Sequence, residues 1–130
     1  MPLLNIPTSK DIFIEINGKK VATVESYKAR TTKESRYIEA FGETEPIGAV
    51  GGRVRHILEV SRVYMEESGL SDGINFFDLS DFNLVVVKPD RRIIYSGCEW
   101  SSIGENVSLN DVILENVSIV ASKRMELEYE

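Results

Sequence analysis

Two long stretches of alternating residues, 20–41 and 53–65, most constrain what this chain can fold into. Their alternation predicts β-strands, but strands this long and this charged cannot both be closed up inside a chain of 130 residues. The segment between them, residues 42–52, holds four glycines and Pro46, which predict a loop without regular structure. We therefore expect projecting strands whose exposed faces are paired or covered by other copies of the chain.

Length and composition predict a single domain spanning residues 1–130. Hydrophobic residues make up 42% and charged residues 28%, which is the ordinary globular balance and argues against disorder. The net charge of -6 disfavours a general binder of nucleic acid or anionic membranes, because both partners require a positive field. Residues 1–10 are expected to form an N-terminal arm, and the charged residues 123–130 a tail that leaves the fold.

Cysteine content and the chain's start bear on the cellular compartment. Cys98 is the only cysteine, so no intramolecular disulfide can form, and its setting predicts a small apolar strand residue in a reducing compartment. The first seven residues are too short and too uncharged for a secretory signal. No stretch approaches the roughly 18 apolar residues of a membrane span. We expect a protein made and kept in a cytoplasm.

Turn signals divide the rest of the chain into further strands. Asn17-Gly18 follows the alternating residues 11–16 and predicts a first hairpin whose return arm continues into the first long stretch. A second hairpin is predicted from residues 82–87 and 92–98, with Pro89 opening its turn. Residues 112–122 predict a closing strand. Gly97 and Gly104 are expected at a bulge or bend.

One helical interruption is expected between the second long strand and the second hairpin. Within residues 66–81, Leu70, Ile74, Phe77 and Leu79 recur near helical spacing, and Ser71 or Asp72 could cap the helix. The predicted fold is therefore mainly β: an antiparallel sandwich or barrel with long projecting hairpin strands and one short flanking α-helix.

No arrangement of reactive side chains predicts catalysis. His56 and Cys98 occur once each, and a nucleophile or zinc site needs several converging groups. Asp72, Asp78 and Asp81 lack the spacing of a calcium loop. The glycines of residues 48–52 are not followed by the lysine and helix of a phosphate-binding loop. We therefore predict no catalytic residue, cofactor or metal, and no enzymatic activity.

Charge is distributed unevenly along the chain. Basic residues crowd the first half, and acidic residues crowd the middle and the end, at Glu66, Glu67, Asp72, Asp78, Asp81, Glu126, Glu128 and Glu130. A solvated surface is the simplest interpretation of each group. Such asymmetry also suits head-to-tail contacts between identical subunits, because these need two different, complementary patches on one chain.

The order of these segments resembles a known family. Residues 17–24, Asn-Gly-Lys-Lys-Val-Ala-Thr-Val, run into the long charged arm; the glycine-containing loop, second long strand, short helix and closing strands follow, ending with residues 109–119. In order and length the chain is similar to the small tail tube proteins of contractile phage tails and phage-like bacteriocin particles. The likeness covers most of the chain.

This resemblance implies a sandwich or barrel that assembles into hexameric rings, stacked as a hollow tube. Residues 20–41 and 53–65 would form the lumen, and residues 42–52 would contact a neighbouring subunit or ring. The implied partners are the chain itself and a sheath, tape-measure or baseplate protein, with DNA only as a cargo that the lumen could carry. Assembly would take place in a bacterial cytoplasm, and the product would be part of a virion or phage-like tail particle, without membrane contact.

The resemblance also places the subunit interface on basic and glycine-rich positions of the two stretches. These are Lys28, Arg30, Lys33, Arg36, Gly42, Pro46, Gly48, Gly51, Gly52, Arg53 and Arg55. Their positive charge differs from the neutral or acidic lumen surface along which DNA would slide. The sequence therefore does not decide which way these side chains point or whether DNA is the cargo.

Alternatives from other classes are a tube-end or baseplate protein of the same fold, a monomeric adaptor or interaction module, and a small ligand-binding β-barrel. The last would need an enclosed apolar cavity, against which the long charged strands argue. A monomeric module would stay monomeric in solution, whereas a ring or filament would favour the tube.

Overall fold

The computed structural model describes residue 4, residues 6–64 and residues 73–129. Most of this part is β-strand, and its only helical segments are two single turns of 3-10 helix, Ser9–Asp11 and Phe76–Asp78. The eight strands are β1 (Phe13–Ile16), β2 (Lys19–Lys20), β3 (Val24–Ile38), β4 (Gly48–Val63), β5 (Phe82–Val87), β6 (Arg91–Val107), β7 (Ile113–Ala121) and β8 (Lys123–Glu128).

The strands form two antiparallel layers that share the long strand β6. In the first layer β2, β1, β5, the first half of β6 and β8 lie side by side. In the second layer the order is β3, β4, β7 and the second half of β6. All neighbouring strands are antiparallel, which confirms the predicted antiparallel β-fold. Within the described residues the outer strands β2 and β3 do not pair with each other, so the sheet is not closed into a barrel.

The hydrophobic core lies between the two layers. The first layer contributes Ile14, Ile16, Leu84, Val86 and Tyr95, each no more than 4% exposed. The second layer contributes alternate residues of β4 and β7, namely Leu58, Val60, Val117 and Ile119. One face of β4 is thus buried from His56 onward, whereas the residues before His56 are exposed.

A bulge lets β6 pass from one layer to the other. The pairing register between β5 and β6 shifts between Phe82 and Leu84, opposite Gly97. Gly97 has φ +63°, a backbone conformation that strongly favours glycine. The bulge or bend predicted at Gly97 is thus present as a bulge, whereas none interrupts the pairing at Gly104, which lies in regular register with Asn116.

The first predicted hairpin forms, but its return arm is interrupted. Asn17 and Gly18 both have positive φ and connect β1 to the two-residue strand β2. Residues 21–23 then leave the sheet, and Thr23 has φ +58° while its hydroxyl donates to Val63 O at 2.7 Å. The long strand β3 therefore begins at Val24, in the other layer.

Two further predictions, one at the start of β4 and one at the end of the chain, are wrong. Residues 48–52, predicted as loop, are the start of β4, because residues 48–51 pair with residues 35–38 of β3. The segment predicted as a free tail forms β8, which pairs with β6 from Ser96↔Lys123 to Arg91↔Glu128. Arg91 of β6 donates to Glu126 of β8 at 2.6 Å, so charged side chains also contribute to the pairing of these two strands.

The predicted flanking α-helix is also wrong for the residues that the structure describes. Only Phe76–Asp78 is helical, as one 3-10 turn, and the amide oxygen of Asn75 accepts from Phe77 N at 3.2 Å. Phe76 packs beneath Arg62 and Phe77 against Trp100, so both rings hold this turn to the sheet. The predicted caps Ser71 and Asp72 lie outside the described residues.

Candidate functional site

All eleven predicted interface residues lie on one projecting β-hairpin, which we call the arm (residues 24–63). Lys28, Arg30, Lys33 and Arg36 belong to β3; Gly42 and Pro46 lie in the connecting loop of residues 39–47; Gly48, Gly51, Gly52, Arg53 and Arg55 belong to β4. From residue 28 to residue 55 every residue is exposed except Ile38, which is half-buried. The structure thus brings these residues onto one element, while their role as an interface stays a prediction.

The basic residues of the arm are concentrated on one face. Strand alternation puts Lys28, Arg30 and Arg36 on the face directed away from the core, together with Arg55 of β4. Lys33 lies on the other face, where it is paired with Val54. The arm therefore has a basic outer face rather than a uniformly charged surface.

A bulge in the distal arm explains one of its glycines. Two residues of β4, Gly52 and Arg53, lie opposite the single residue Glu34 of β3. A Cβ added at Gly52 would approach Glu34 Cβ and Glu34 O to 2.8 Å, which is too close for any other residue without a backbone shift. This glycine is needed for the hairpin itself, independent of any contact with a partner.

The arm's positive charge is only weakly neutralised within its own chain. Arg55 Nη2 lies 3.8 Å from Glu34 Oε1, and both side chains are more than 60% exposed, so this pair contributes little. At the base of the arm Arg62 pairs with Glu115 at 3.0 Å, but within the part of the chain that the structure describes no carboxylate forms an ion pair with Lys28, Arg30, Lys33, Arg36 or Arg53. These cations are available to groups outside the chain.

The second layer presents a strand edge at each of its two sides. The outer edge of β3 has no strand partner within the described residues, and neither does β6 beyond Trp100, on the side opposite β7. Unpaired edges of this length offer backbone donors and acceptors to another chain. The sequence predicted that the first long strand projects and is covered by other copies, but it did not predict the β6 edge, because the predicted strand ended at residue 98.

The two edges carry opposite charge. Strand β3 carries four basic residues against two acidic ones, Glu25 and Glu34, whereas β6 beyond Trp100 carries Glu105 and no basic residue. The sequence carries little signal for the β6 edge, because Cys98 and Trp100 alternate but Ile103 falls out of phase after the irregularity between Trp100 and Ser102. Two complementary edges on one sheet fit a head-to-tail contact between copies.

His56 lies where the arm leaves the core, in a cleft of about 460 Å³ that Lys88 and Arg124 also line. Its Nδ1 is 3.0 Å from Thr31 Oγ1, and its ring packs edge-on against Tyr95. Burial, with a smaller contribution from the charge of Arg124, lowers the pKa of His56 below 6.5. The ring is therefore mostly uncharged at neutral pH, where it packs against Tyr95.

Cys98 is fully buried in the core, and its thiol donates to Tyr95 O at 3.4 Å. Burial raises the pKa of Cys98 to about 11, so the reactive thiolate is scarce at neutral pH. The predicted apolar role is thus confirmed. Elsewhere, the described residues contain no group of three or more histidine, cysteine or acidic side chains placed to hold a metal ion. They also include no helix long and apolar enough to cross a membrane.

No protein-family model matches the sequence, and no curated protein is significantly similar to it. Solved structures, in contrast, match nearly the whole fold. The chain is similar to a protein of the SPP1 tail tube, with a TM-score of 0.72, 9% identity, and coverage of 94% of this chain and 79% of the other.

Two further likenesses are of the same quality. A protein from the tail of an empty gene transfer agent particle, solved with C6 symmetry, matches with a TM-score of 0.72, 13% identity, and coverage of 96% and 100%. A protein from the tube-terminating cap of the anti-feeding prophage matches with a TM-score of 0.72, 7% identity, and coverage of 99% and 95%. At these identities the likeness establishes the fold: the chain has the fold of tail tube proteins, as the sequence predicted.

Proposed function

We propose that this protein is a structural subunit of a phage or phage-like tail tube, in which six copies form a ring and rings stack into a hollow tube. The observation that carries the proposal is the pair of unpaired, oppositely charged edges on the two sides of one four-stranded layer. The C6 symmetry of a tail containing a protein of the same fold supports six copies.

The strand order gives the geometry of ring closure. Neighbouring strands of the layer β3-β4-β7-β6 are all antiparallel, so β6 and β3 run in opposite directions. In a ring, rotation brings β3 of one copy beside β6 of the next, and those two strands are then antiparallel as well. Six layers joined in this way form a continuous barrel without an exposed edge.

The remaining partners and the location follow from the tube as proposals. A tube of this kind would contact a sheath, tape-measure or baseplate protein, and it would be assembled in a bacterial cytoplasm before it becomes part of the particle. DNA as cargo of the lumen also stays a proposal. The arm's basic outer face suits contacts with acidic groups of other subunits more readily than a DNA channel.

Light scattering coupled to size exclusion tests the ring. We expect a species of about 88 kDa, six times the 14.6 kDa of one chain, since closed rotational symmetry satisfies every edge. Glu105→Lys should reduce the ring fraction at least several-fold because it places a cation opposite the basic β3 edge. Glu128→Lys, an equal charge change on β8, is the control and should leave the ring intact. A protein that stays monomeric at high concentration would contradict the proposal.

A tube-end protein of the same fold is the second candidate, and the likeness to a tube-terminating cap favours it. Electron microscopy of the assembled protein distinguishes the two. Long tubes identify a repeating subunit, whereas rings that never stack identify a terminal protein.

A further inference from the structure

The hairpin that joins β6 to β7 ends in a cluster of exposed apolar side chains. Val107, Leu109 and Val112 surround its turn and are 61%, 93% and 52% exposed. We call this surface, residues 105–112, the β6–β7 tip. Three clustered apolar side chains at the end of a hairpin favour a contact with another surface.

The same hairpin carries only negative charge. Residues 99–122 hold four acidic residues and no lysine, arginine or histidine. Arg62 neutralises Glu115 at 3.0 Å, whereas Glu105 and Asp111 are exposed and form no ion pair within the residues that the structure describes. A partner surface for the β6–β7 tip should therefore combine apolar area with positive charge.

A groove beside the start of β3 has these properties. It has a volume of about 1050 Å³ and lies between β1 and residues 20–27; we call it the N-terminal groove. Its apolar lining includes Ile12, Phe13 and Val24. Lys10 and Lys20 also line it, and Glu25 is its one acidic residue. Lys20 Nζ lies 5.0 Å from the centre of the Phe13 ring, so the groove suits an apolar segment that also carries a carboxylate.

The β6–β7 tip and the N-terminal groove lie at the same level of the second layer, at its two opposite edges. One row of paired residues crosses the layer through Glu105, Glu115, Arg62 and Val24. Three spacings between strands, about 4.8 Å each, separate Glu105 from Val24 by about 14 Å. Strands β7 and β4 fill this space, so the tip cannot enter the groove of its own chain.

The side chains at the two edges also point to the same face. Alternation puts Glu105 and Val107 on the core face of β6, because Ile103 is paired with the buried Val117. Val24 lies on the core face of β3, since it packs against the core and lines the groove.

Ring closure brings these two surfaces together. When β3 of one copy lies antiparallel beside β6 of the next, the row that ends at Glu105 of one copy continues near Val24 of the other. The N-terminal groove extends along residues 20–27, so it accepts a shift of several residues in that register.

We propose that the β6–β7 tip of one copy docks into the N-terminal groove of the adjacent copy in the same ring. Val107 and Leu109 pack on the apolar lining, and Glu105 lies beside Lys20. Each copy contributes a tip at one edge and a groove at the other, which is the arrangement that a closed head-to-tail ring requires. This inference rests on the proposed function, because it assigns the side-chain contact that accompanies the pairing of the two edges.

A charge exchange tests the contact in the intact protein. Glu105→Lys should lower the ring fraction several-fold, and adding Lys20→Glu should restore it, because the attraction is re-formed with its signs exchanged. Lys28→Glu is the matched control: it reverses a charge on the same β3 edge but on the outer face, and it should restore nothing. Rescue by Lys28→Glu, or no rescue by Lys20→Glu, would overturn the proposal.

Loss of apolar surface provides a second measurement. Leu109→Ser with Val112→Ser should raise the concentration at which half of the protein is in rings at least several-fold, because less apolar area is buried on docking. Met125→Ser with Leu127→Ser removes exposed apolar area from β8 instead, and it should leave that concentration unchanged. Equal effects of the two double variants would overturn the proposal.

Cross-linking tests which surfaces meet. One tagged population carries Cys98→Ala with Leu109→Cys, and an untagged one carries Cys98→Ala with Lys20→Cys. The two are mixed before assembly, and the ring fraction from size exclusion is treated with a short bismaleimide. We expect the mixed dimer on a denaturing gel, and none when Lys123→Cys replaces Lys20→Cys. Absence of the mixed dimer from rings, or an equal yield with Lys123→Cys, would overturn the proposal.

The outcomes separate this inference from the proposed function. Wild-type rings that show neither the charge rescue nor the cross-link refute the groove as receiving surface and leave the tube subunit standing. A wild-type protein that stays monomeric at high concentration refutes the proposed function and this inference with it.

Discussion

Single residues in this protein carry packing and geometry rather than reactivity. Histidine and cysteine are the residue types that most often indicate reactive chemistry. Here His56 is buried against the ring of Tyr95, and Cys98 is buried against the backbone oxygen of Tyr95. Burial lowers the pKa of His56 and raises that of Cys98 for one reason, since it disfavours the charged form of each group. At neutral pH both groups are therefore mostly uncharged, Cys98 inside the core and His56 in the cleft at its margin.

His56 gives a measurable test of this interpretation because it is the only histidine. We expect its NMR titration to give a pKa below 6.5 in the folded protein and near 6.5 in the urea-unfolded chain. As pH falls through 6.5, the unfolded chain binds the proton first, so the free energy of unfolding decreases toward the folded pKa. His56→Gln should remove that part of the pH dependence. A pKa above 6.5 in the folded protein would contradict the burial argument.

At the scale of elements, the long strand β6 decides the architecture because it belongs to both layers. Its passage depends on the Gly97 bulge, where an added Cβ would overlap Ser122 Oγ. That hydroxyl also donates to Ser96 O at 3.1 Å, so it cannot move aside without losing a hydrogen bond. Gly104 on the same strand faces open space.

These two glycines form a matched pair for a stability measurement. Gly97→Ala should lower the free energy of unfolding by about 1–3 kcal/mol, because it adds both a steric overlap and a side chain at positive φ. Gly104→Ala should change it by less than about 0.5 kcal/mol. Urea denaturation followed by circular dichroism measures both. Equal effects at the two positions would show that the bulge does not require glycine.

Elements were predictable where local rules act, and not where pairing partners are distant. The Asn17-Gly18 turn, the hairpin around Pro89 and the strand β7 follow from turn chemistry and alternation. The β-structure of residues 48–51 depends instead on pairing with residues 35–38, which offsets the weak strand propensity of glycine. In the same way β8 exists because β6 offers it an edge.

The whole molecule is polarised. The arm has a basic outer face, and the free edge of β6 is acidic. In the proposed tube such a distribution stabilises contacts between copies rather than the single chain, because the complementary charges lie too far apart to meet within one molecule. Assembly should accordingly respond to salt more strongly than folding does.

Ionic strength tests this statement. Raising salt from 0.1 M to 1 M shortens the screening length from about 10 Å to about 3 Å, which weakens attraction between exposed charges. We expect the assembled fraction in analytical ultracentrifugation to fall several-fold, while the thermal unfolding of the single chain, measured on Glu105→Lys, changes little. Assembly that is unchanged or strengthened by salt would show that apolar burial dominates the contacts.

The sequence by itself determined the β-class, the first turn, the projecting arm and the absence of a recognisable catalytic motif, because periodicity and turn chemistry are local properties. Only the tertiary structure decided that β6 joins two layers, that the last residues form a strand, and that the layer ends in two free edges. It also decided that the β6–β7 tip and the N-terminal groove lie at opposite edges of the second layer. These are relations between residues far apart in the chain, and the register that fixes them is established only when the strands pair.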